Sequence, residues 1–373
     1  MSFSLDAYMD ELRPLINVDC GTLTKDGIEK IVSIMSEKYQ HLGWDIKRID
    51  LGEAGSGLEV RNKPDTDDID VLLIGHLDTV FPEGTVAKRP MSVDGNRAFG
   101  PGVSDMKSGV LNIVYALRGM DKEVLDKLSI CVCMNPDEEI GSTYSSDWLS
   151  IVALKSKQVL VAEAARADGS LVKARKGMAR YELEFKGKAA HAGNEPEKGR
   201  SAITEMAHWI ITIDQMTNFK TGTTFNSGVV EGGSGANVVA DYAKNVVDVR
   251  FWDNNEYAEA DRKISEMTEM PFMDEVSVVA KRVAHKPAMV PTEKTEALMK
   301  LVESAGSEVG IDIQWKAVGG GSDANNTAAL GIPSLDGLGP IGGGFHSEDE
   351  YLELDSIEPR IRLLQQVITK LSE

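Results

Sequence analysis

Cysteine, positive charge and long apolar runs are all in short supply here, and each shortage excludes something. Three cysteines in 373 residues, Cys20, Cys131 and Cys133, are an odd and sparse set. They argue against a disulfide framework and suit a reducing, cytoplasmic setting. Cys131 and Cys133 alternate inside an apolar run, so they share one face of a strand and read as core. Lysine and arginine total 40 against 59 aspartates and glutamates, a formal net charge of −19. That field repels nucleic acid and anionic membrane surfaces, so neither is expected as a partner. An anionic substrate would need cationic groups within its own pocket. No apolar stretch approaches the roughly 18 residues of a membrane span. Met1 to Cys20 lacks a basic start followed by an apolar run, so no signal peptide is visible.

What is present is ordinary globular composition, 42% hydrophobic and 27% charged, in a chain long enough to expect two domains. Val71 to Gly75 and Leu128 to Met134 read as strands, with a helical stretch at Gly109 to Leu117 between them. This is an α/β alternation, in which functional residues gather beyond the carboxyl ends of strands. From about Lys176 to His285 the rhythm changes. It gives a strand (Ala179 to Phe185), a helix (Ser201 to Met216), two strands (Thr223 to Glu231, Asn237 to Phe251), a helix (Tyr257 to Met267) and a strand (Val276 to Arg282). The order βαββαβ is the ferredoxin-like unit, inserted into the larger α/β domain. The expected division is residues 1–175 with 286–373 as the catalytic domain, and 176–285 as the insertion.

Four stretches end apolar runs with side chains that bind metals. In Gly75-His76-Leu77-Asp78-Thr79, residues two apart in extended chain point the same way, so Asp78 can orient the imidazole of His76. In Gly100-Pro101-Gly102-Val103-Ser104-Asp105, a rigid loop delivers Asp105 just before a helix; an N-cap explains it, and so does a carboxylate shared by two cations. In Pro136-Asp137-Glu138-Glu139, three successive acids repel one another unless a cation or shared proton compensates. One glutamate can bind metal while the other serves as general base. In Val159-Leu160-Val161-Ala162-Glu163, a lone acid interrupts small and apolar residues and needs a partner, either a metal or a cation such as Arg166. Near the end of the chain, Gly344-Phe345-His346-Ser347 sets a second histidine in a loop. Two histidines, several carboxylates and no thiolate match a pair of Zn²⁺-like ions held by nitrogen and oxygen.

With these motifs in place, the sequence from His76 through Tyr351 resembles the M20 metallopeptidase family, and within it the bacterial glutamate carboxypeptidases. The resemblance implies a mixed-sheet zinc-peptidase domain carrying a ferredoxin-like lid, with two Zn²⁺ ions, Co²⁺ or Mn²⁺ being alternatives. It implies that His76 and Glu163 hold the first ion, Glu139 and His346 the second, and Asp105 both. Asp78 orients His76, and Glu138 is the general base. His191, in His191-Ala192-Gly193, is similar to a histidine that reaches the substrate carbonyl, often from the partner subunit of a homodimer formed through the lid. Asn237 and Arg250 resemble substrate-binding residues, with Arg250 suited to gripping a terminal carboxylate. Gly320 and Ser322 are expected to line the pocket, since Gly319-Gly320-Gly321-Ser322-Asp323 lacks the context of a phosphate loop.

Two features depart from the family pattern: Ser108 stands where a second glycine is common, and Lys286-Pro287 replaces the Arg-Pro frequent in glutamate-specific relatives. Glu163, where aminopeptidases usually have aspartate, favours carboxypeptidases and deacylases. The implied activity is therefore hydrolysis of a peptide or N-acyl amino acid at the bond to a C-terminal residue, glutamate being the candidate. An N-acyl amino-acid deacylase would use the same residues. A noncatalytic homologue would lack the base or a ligand, and every such position is filled.

Overall fold

The computed structural model describes residues 3–373. The chain divides into two compact units. One comprises the residues up to Ala174 with Pro291–Val318 and Ser322–Glu373, and the other comprises Arg175–Val290 with Gly319–Gly321. The far boundary falls beyond 285 because strand Ser277–Lys286 runs on to Lys286 and Met289 then turns back to pair with Arg175.

The larger unit is built on a six-stranded mixed sheet. Strands Asp45–Asp50 and Ser56–Arg61 are antiparallel to each other, and the second is antiparallel to Ile130–Asn135. Val71–His76 then runs parallel to Ile130–Asn135 on one side and to Val159–Val161 on the other, and Ser334–Leu335 continues the parallel set. Val71–His76 is buried at all six positions, which is why its sequence is a continuous apolar run rather than an alternation. Helices Leu5–Ile16, Lys25–Gln40, Ser108–Arg118, Glu293–Glu308 and Ile357–Leu371 supply much of the rest of the core. Glu293–Glu308 starts where Thr292 accepts the backbone N–H of Thr295, a side-chain cap for an otherwise unpaired donor.

Register decides where the chemistry lies. His76 is level with Asn135, and Ile74 is level with Val161. Two residues beyond Val161 comes Glu163, and just beyond Asn135 come Glu138 and Glu139. Because the three strands are parallel, their carboxyl ends emerge at one edge of the sheet, and motifs far apart in sequence converge there.

The smaller unit has the element order βαββαβ around a four-stranded antiparallel sheet. Its strands lie in the order Thr224–Gly232, Tyr242–Phe251, Gly177–Lys186, Ser277–Lys286. Burial alternates along Gly177–Lys186, turning Tyr181, Leu183 and Phe185 into a core shared with the wholly buried Trp209 of helix Ala202–Asp214. Ser201 and Asp253 cap the two helices. The single strand expected over 237–251 is broken. Val238–Val239 pairs instead with Ala190–His191, and the carbonyls of Ala240 and Asp241 are taken by the N–H groups of Ala202 and Gly187, which turns the chain between the two pieces.

Candidate metal centre and active site

His76 closes its strand with 1% exposure, and its ring is held from both ends. On one side Nδ1 faces only acceptors, the carbonyl of Asp78 at 3.1 Å and its Oδ1 at 3.3 Å. Nδ1 therefore carries a proton, and Nε2 points the other way. There it meets Asp105 Oδ1 at 3.2 Å and Glu163 Oε1 at 3.6 Å. A lone pair facing two carboxylates is repulsive unless positive charge lies between them.

The second histidine repeats the pattern from a loop. His346 Nε2 lies 3.2 Å from Asp105 Oδ2 and 3.2 Å from Glu139 Oε2. Asp105 thus turns one oxygen to each histidine. Its carboxylate does not cap the following helix, as an N-cap reading allows. The backbone at Asp105 is non-helical, φ −113° and ψ 90°, and the Asp105–Met106 peptide is cis. Glu138 completes the cluster, its carboxylate within 4.8 Å of the ligand atoms of His76 and Glu163.

These spacings leave room for a cation. A strong charge-assisted N–H···O bond is about 2.7–2.9 Å. The four imidazole–carboxylate distances, 3.2 to 3.6 Å, are longer than that. Electrostatics agree. Burial opposes charge on His76, yet Asp105, Asp78 and Glu163 hold its pKa well above the usual imidazole value. Asp105 and Glu139 push His346 up to about 10. Burial, with Asp105 beside it, raises Glu163 well above the carboxylate range, and burial raises Glu139 as well. Asp105 goes the other way: against its burial, His346 and His76 hold it low. The cluster as a whole attracts positive charge, and its all-nitrogen-and-oxygen donor set fits Zn²⁺, Co²⁺ or Mn²⁺.

Asp78 does more than orient His76. Its Oδ1 and Oδ2 accept the backbone N–H groups of Glu138 and Glu139, each at 3.2 Å, and Oδ2 also accepts Thr22 Oγ1 at 2.5 Å. One buried carboxylate therefore ties the end of strand Val71–His76 to the turn after strand Ile130–Asn135. Asp137, the first of the three acids, turns away from the cluster and accepts the N–H groups of Tyr144 and Ser145. Thr22 stands outside every motif read in the sequence. So does Glu350, wholly buried at the end of an acidic run, Ser347-Glu348-Asp349-Glu350, that reads as solvated loop. Burial pushes the Glu350 carboxyl up to about 7 against the pull of three backbone N–H donors. What sets these two apart is the partner each reaches across the fold, Asp78 for Thr22 and the backbone around Asp105 for Glu350, and sequence does not display it.

The remaining expected site residues have different surroundings. In the smaller unit, His191 and Asn237 are brought together: Ala190–His191 pairs with Val238–Val239, and the carbonyl of Asn237 accepts the N–H of Ala192. His191 Nδ1 accepts the N–H groups of Gly193 and Asn194, both at 3.1 Å. Its proton therefore lies on Nε2, which is left as a donor. The guanidinium of Arg250 is engaged by Asp248 through two hydrogen bonds, Nε at 2.8 Å and Nη2 at 3.2 Å, so here it is an ion pair on a sheet. Lys286 is buried at the end of its strand. Gly320 sits in an exposed turn whose carbonyl accepts Arg175 Nη1 at 2.9 Å. Ser322, expected to line the pocket, is wholly buried. Its hydroxyl caps helix Asp323–Ala329 and donates to Asp336.

Among the described residues no helix is long and apolar enough to cross a membrane. Carboxypeptidase G2 from Pseudomonas sp. (strain RS-16) is 29% identical over 98% of this chain and 89% of its own length. Acetylornithine deacetylase from Proteus mirabilis (strain HI4320) is 23% identical over 99% of this chain and 97% of its own. In fold, the chain is similar to the crystal structure of aminopeptidase PepT from Bacillus cereus ATCC 10987, with a TM-score of 0.83, 22% identity and 99% of each chain covered. The profile of peptidase family M20/M25/M40 matches residues 72–370, a span that takes in every member of the cluster, and the chain belongs to that family of metal-dependent hydrolases.

Proposed function

We propose that this enzyme is a two-zinc carboxypeptidase that hydrolyses the amide bond to a C-terminal amino acid, with glutamate the first released residue to test. The observation that carries the reading is Asp105, whose two oxygens each lie 3.2 Å from a different histidine. That is the arrangement a carboxylate shared by two ions needs. His76 and Glu163 would complete one ion's ligands, and Glu139 and His346 the other's. Once bound, such cations polarise the scissile carbonyl and make water a better nucleophile at neutral pH. Glu138 takes a proton from the attacking water and returns it to the leaving amine. Asp78 keeps His76 in the tautomer that binds metal. His191, protonated on Nε2, supplies a donor to the developing oxyanion. The 29% identity to carboxypeptidase G2 over nearly the whole chain favours this reaction. The exposed strand Thr224–Gly232 at the edge of the smaller unit's sheet, with Val229 and Val230 half exposed, is the face through which a homodimer would form.

The second reading, an N-acyl amino-acid deacylase, is favoured by the full-length likeness to acetylornithine deacetylase. It uses the same residues and differs only in what the site holds on the acyl side. Hydrolysis of a panel decides between them: N-acyl glutamates, dipeptides ending in glutamate or a neutral residue, and acetylated amino acids, each with Zn²⁺ or Co²⁺ and with Glu138→Ala as control. Preferred release of C-terminal glutamate supports the carboxypeptidase. Preferred deacetylation supports the deacylase, and turnover undiminished in Glu138→Ala removes the mechanism.

A further inference from the structure

Glu350 is not among the ligands proposed above, yet it is wholly buried, between the loop of His346 and the strand Tyr351–Glu353. Its carboxylate accepts the backbone N–H of Gly102 on Oε2 at 3.0 Å, and those of Ser104 and Asp105 on Oε1 at 2.9 and 3.0 Å. Burying a carboxylate is unfavourable unless its lone pairs are satisfied, and here the turn that carries Asp105 satisfies them. The turn is also closed by the N–H groups of Val103 and Lys107 on the carbonyls of Gly100 and Gly102 and by Lys107 Nζ on the carbonyl of Pro101, whereas the N–H groups of Ser104 and Asp105 go to Glu350. Asp105 and Met106 lie off helical geometry, and Gly102 adopts φ +74° where a Cβ would stand 2.5 Å from Thr79 Cγ2.

The segment from Gly344 to Glu350 therefore grips Asp105 twice. His346 faces its side-chain Oδ2 at 3.2 Å, and Glu350 holds its backbone N–H. Arg89 fixes the same segment by donating to the carbonyl of Glu348 at 2.7 Å. We propose that Glu350 is a positioning residue: it locks the Asp105 backbone so that the two carboxylate oxygens face His76 and His346 at once, and so sets the spacing of the two ion positions. The inference rests on the reading of Asp105 as the shared ligand. A merely structural staple would look similar, and the molecule contains one for comparison. Glu205, in the smaller unit, is equally buried and accepts Trp209 Nε1 at 2.9 Å and the N–H groups of Phe272 and Met273 at 3.0 and 2.7 Å.

The test uses full-length protein stripped by chelation and titrated with Co²⁺ alone, read by calorimetry and by the visible absorption of the bound ion. Wild type is compared with Glu350→Gln, Glu350→Asp and Glu205→Gln, and kcat, KM and melting temperature are measured on each. Glu350→Gln is expected to bind at least one Co²⁺ about 10–100-fold more weakly, the range seen when a ligand's supporting partner is lost. Its Co²⁺ spectrum changes and kcat falls more than KM moves. Glu350→Asp recovers part of this, and Glu205→Gln loses thermal stability while titrating as wild type does. Two ions bound by Glu350→Gln with unchanged affinities and spectrum overturn the inference alone. So does an equal loss of Co²⁺ affinity in Glu205→Gln, because general destabilisation then explains it. Wild-type protein that takes up no Co²⁺ overturns the reading of the centre and this inference with it. If Glu350→Gln does not fold, Glu350→Asp decides by the same readouts, and unaltered Co²⁺ binding overturns the proposal.

Discussion

The two histidines of the centre stand in unlike surroundings. His76 has a side chain only 1% exposed, at the end of a strand with parallel neighbours on both sides, whereas His346 is 56% exposed, in a loop at φ +61°. Their carboxylate partners follow suit, Glu163 being buried two residues beyond a strand of the sheet and Glu139 lying in the turn after another. One half of the centre is thus held by sheet register and core packing, which cannot shift without disturbing the domain. The other half is held by loops, and its geometry depends on side-chain contacts such as Asp78 to the turn at Glu138 and Glu139. Position in the fold, more than side-chain type, separates the rigid half of the cluster from the adjustable one.

The largest expected effect belongs to neither half. Glu138→Gln keeps every proposed ligand, so both ions should remain bound by metal analysis while kcat falls by about 10²–10⁴-fold, the usual worth of a general base. Loss of an ion in this variant would make Glu138 a ligand and blur the distinction between base and centre. Next, the histidines should separate. His76→Ala removes a buried partner of Asp78, Asp105 and Glu163 and is expected to cost about 3–5 kcal/mol by denaturant unfolding, along with the first ion. His346→Ala should lose the second ion at a cost of only roughly 0.5 kcal/mol, because the residue is exposed. Equal destabilisation by the two variants would break the comparison.

Gly109→Ala probes the sheet-held half alone. A Cβ there would lie 1.9 Å from the carbonyl oxygen of Ala162, the residue before Glu163. The helix must move off the strand end, at a cost of about 1–3 kcal/mol. The first ion should weaken more than the second in a Co²⁺ titration. The smallest effect is expected for Thr22→Val, which removes one hydrogen bond to Asp78. It should lower kcat/KM by roughly tenfold, the low end for a supporting contact, without altering the melting temperature of the smaller unit.

The parts of this protein legible in its sequence are those whose signal is local. The apolar run Val71–Gly75 announces a strand with parallel neighbours because both of its faces are buried, and it places His76 at the end. The alternation along Ala179–Phe185, with the caps at Ser201 and Asp253, makes the insertion readable as βαββαβ. His76 and Asp78 could be paired from their spacing in extended chain, and the acid pair Glu138-Glu139 from its mutual repulsion. Residues whose roles depend on non-local contacts were not so readable. Ser322 sits in a glycine-rich stretch, and its burial, its helix cap and its bond to Asp336 come only from the fold. Arg250 and Asp248 lie two apart on a strand, and which anion the guanidinium takes depends on side-chain geometry.

By itself, the sequence determined the chemistry available: the donor types, the strands that end in them, the βαββαβ insertion, and an acidic, cysteine-poor composition. Tertiary structure alone decided how those donors meet. Sheet register brings Glu163 level with His76, the turn at Asp105 divides one carboxylate between two imidazoles, and Thr22 and Glu350 lock neighbours that lie far from them in sequence. The reason is physical. Strand periodicity and capping are written within a few residues, whereas whether a carboxylate is buried and what fills its lone pairs depend on chain segments hundreds of residues apart.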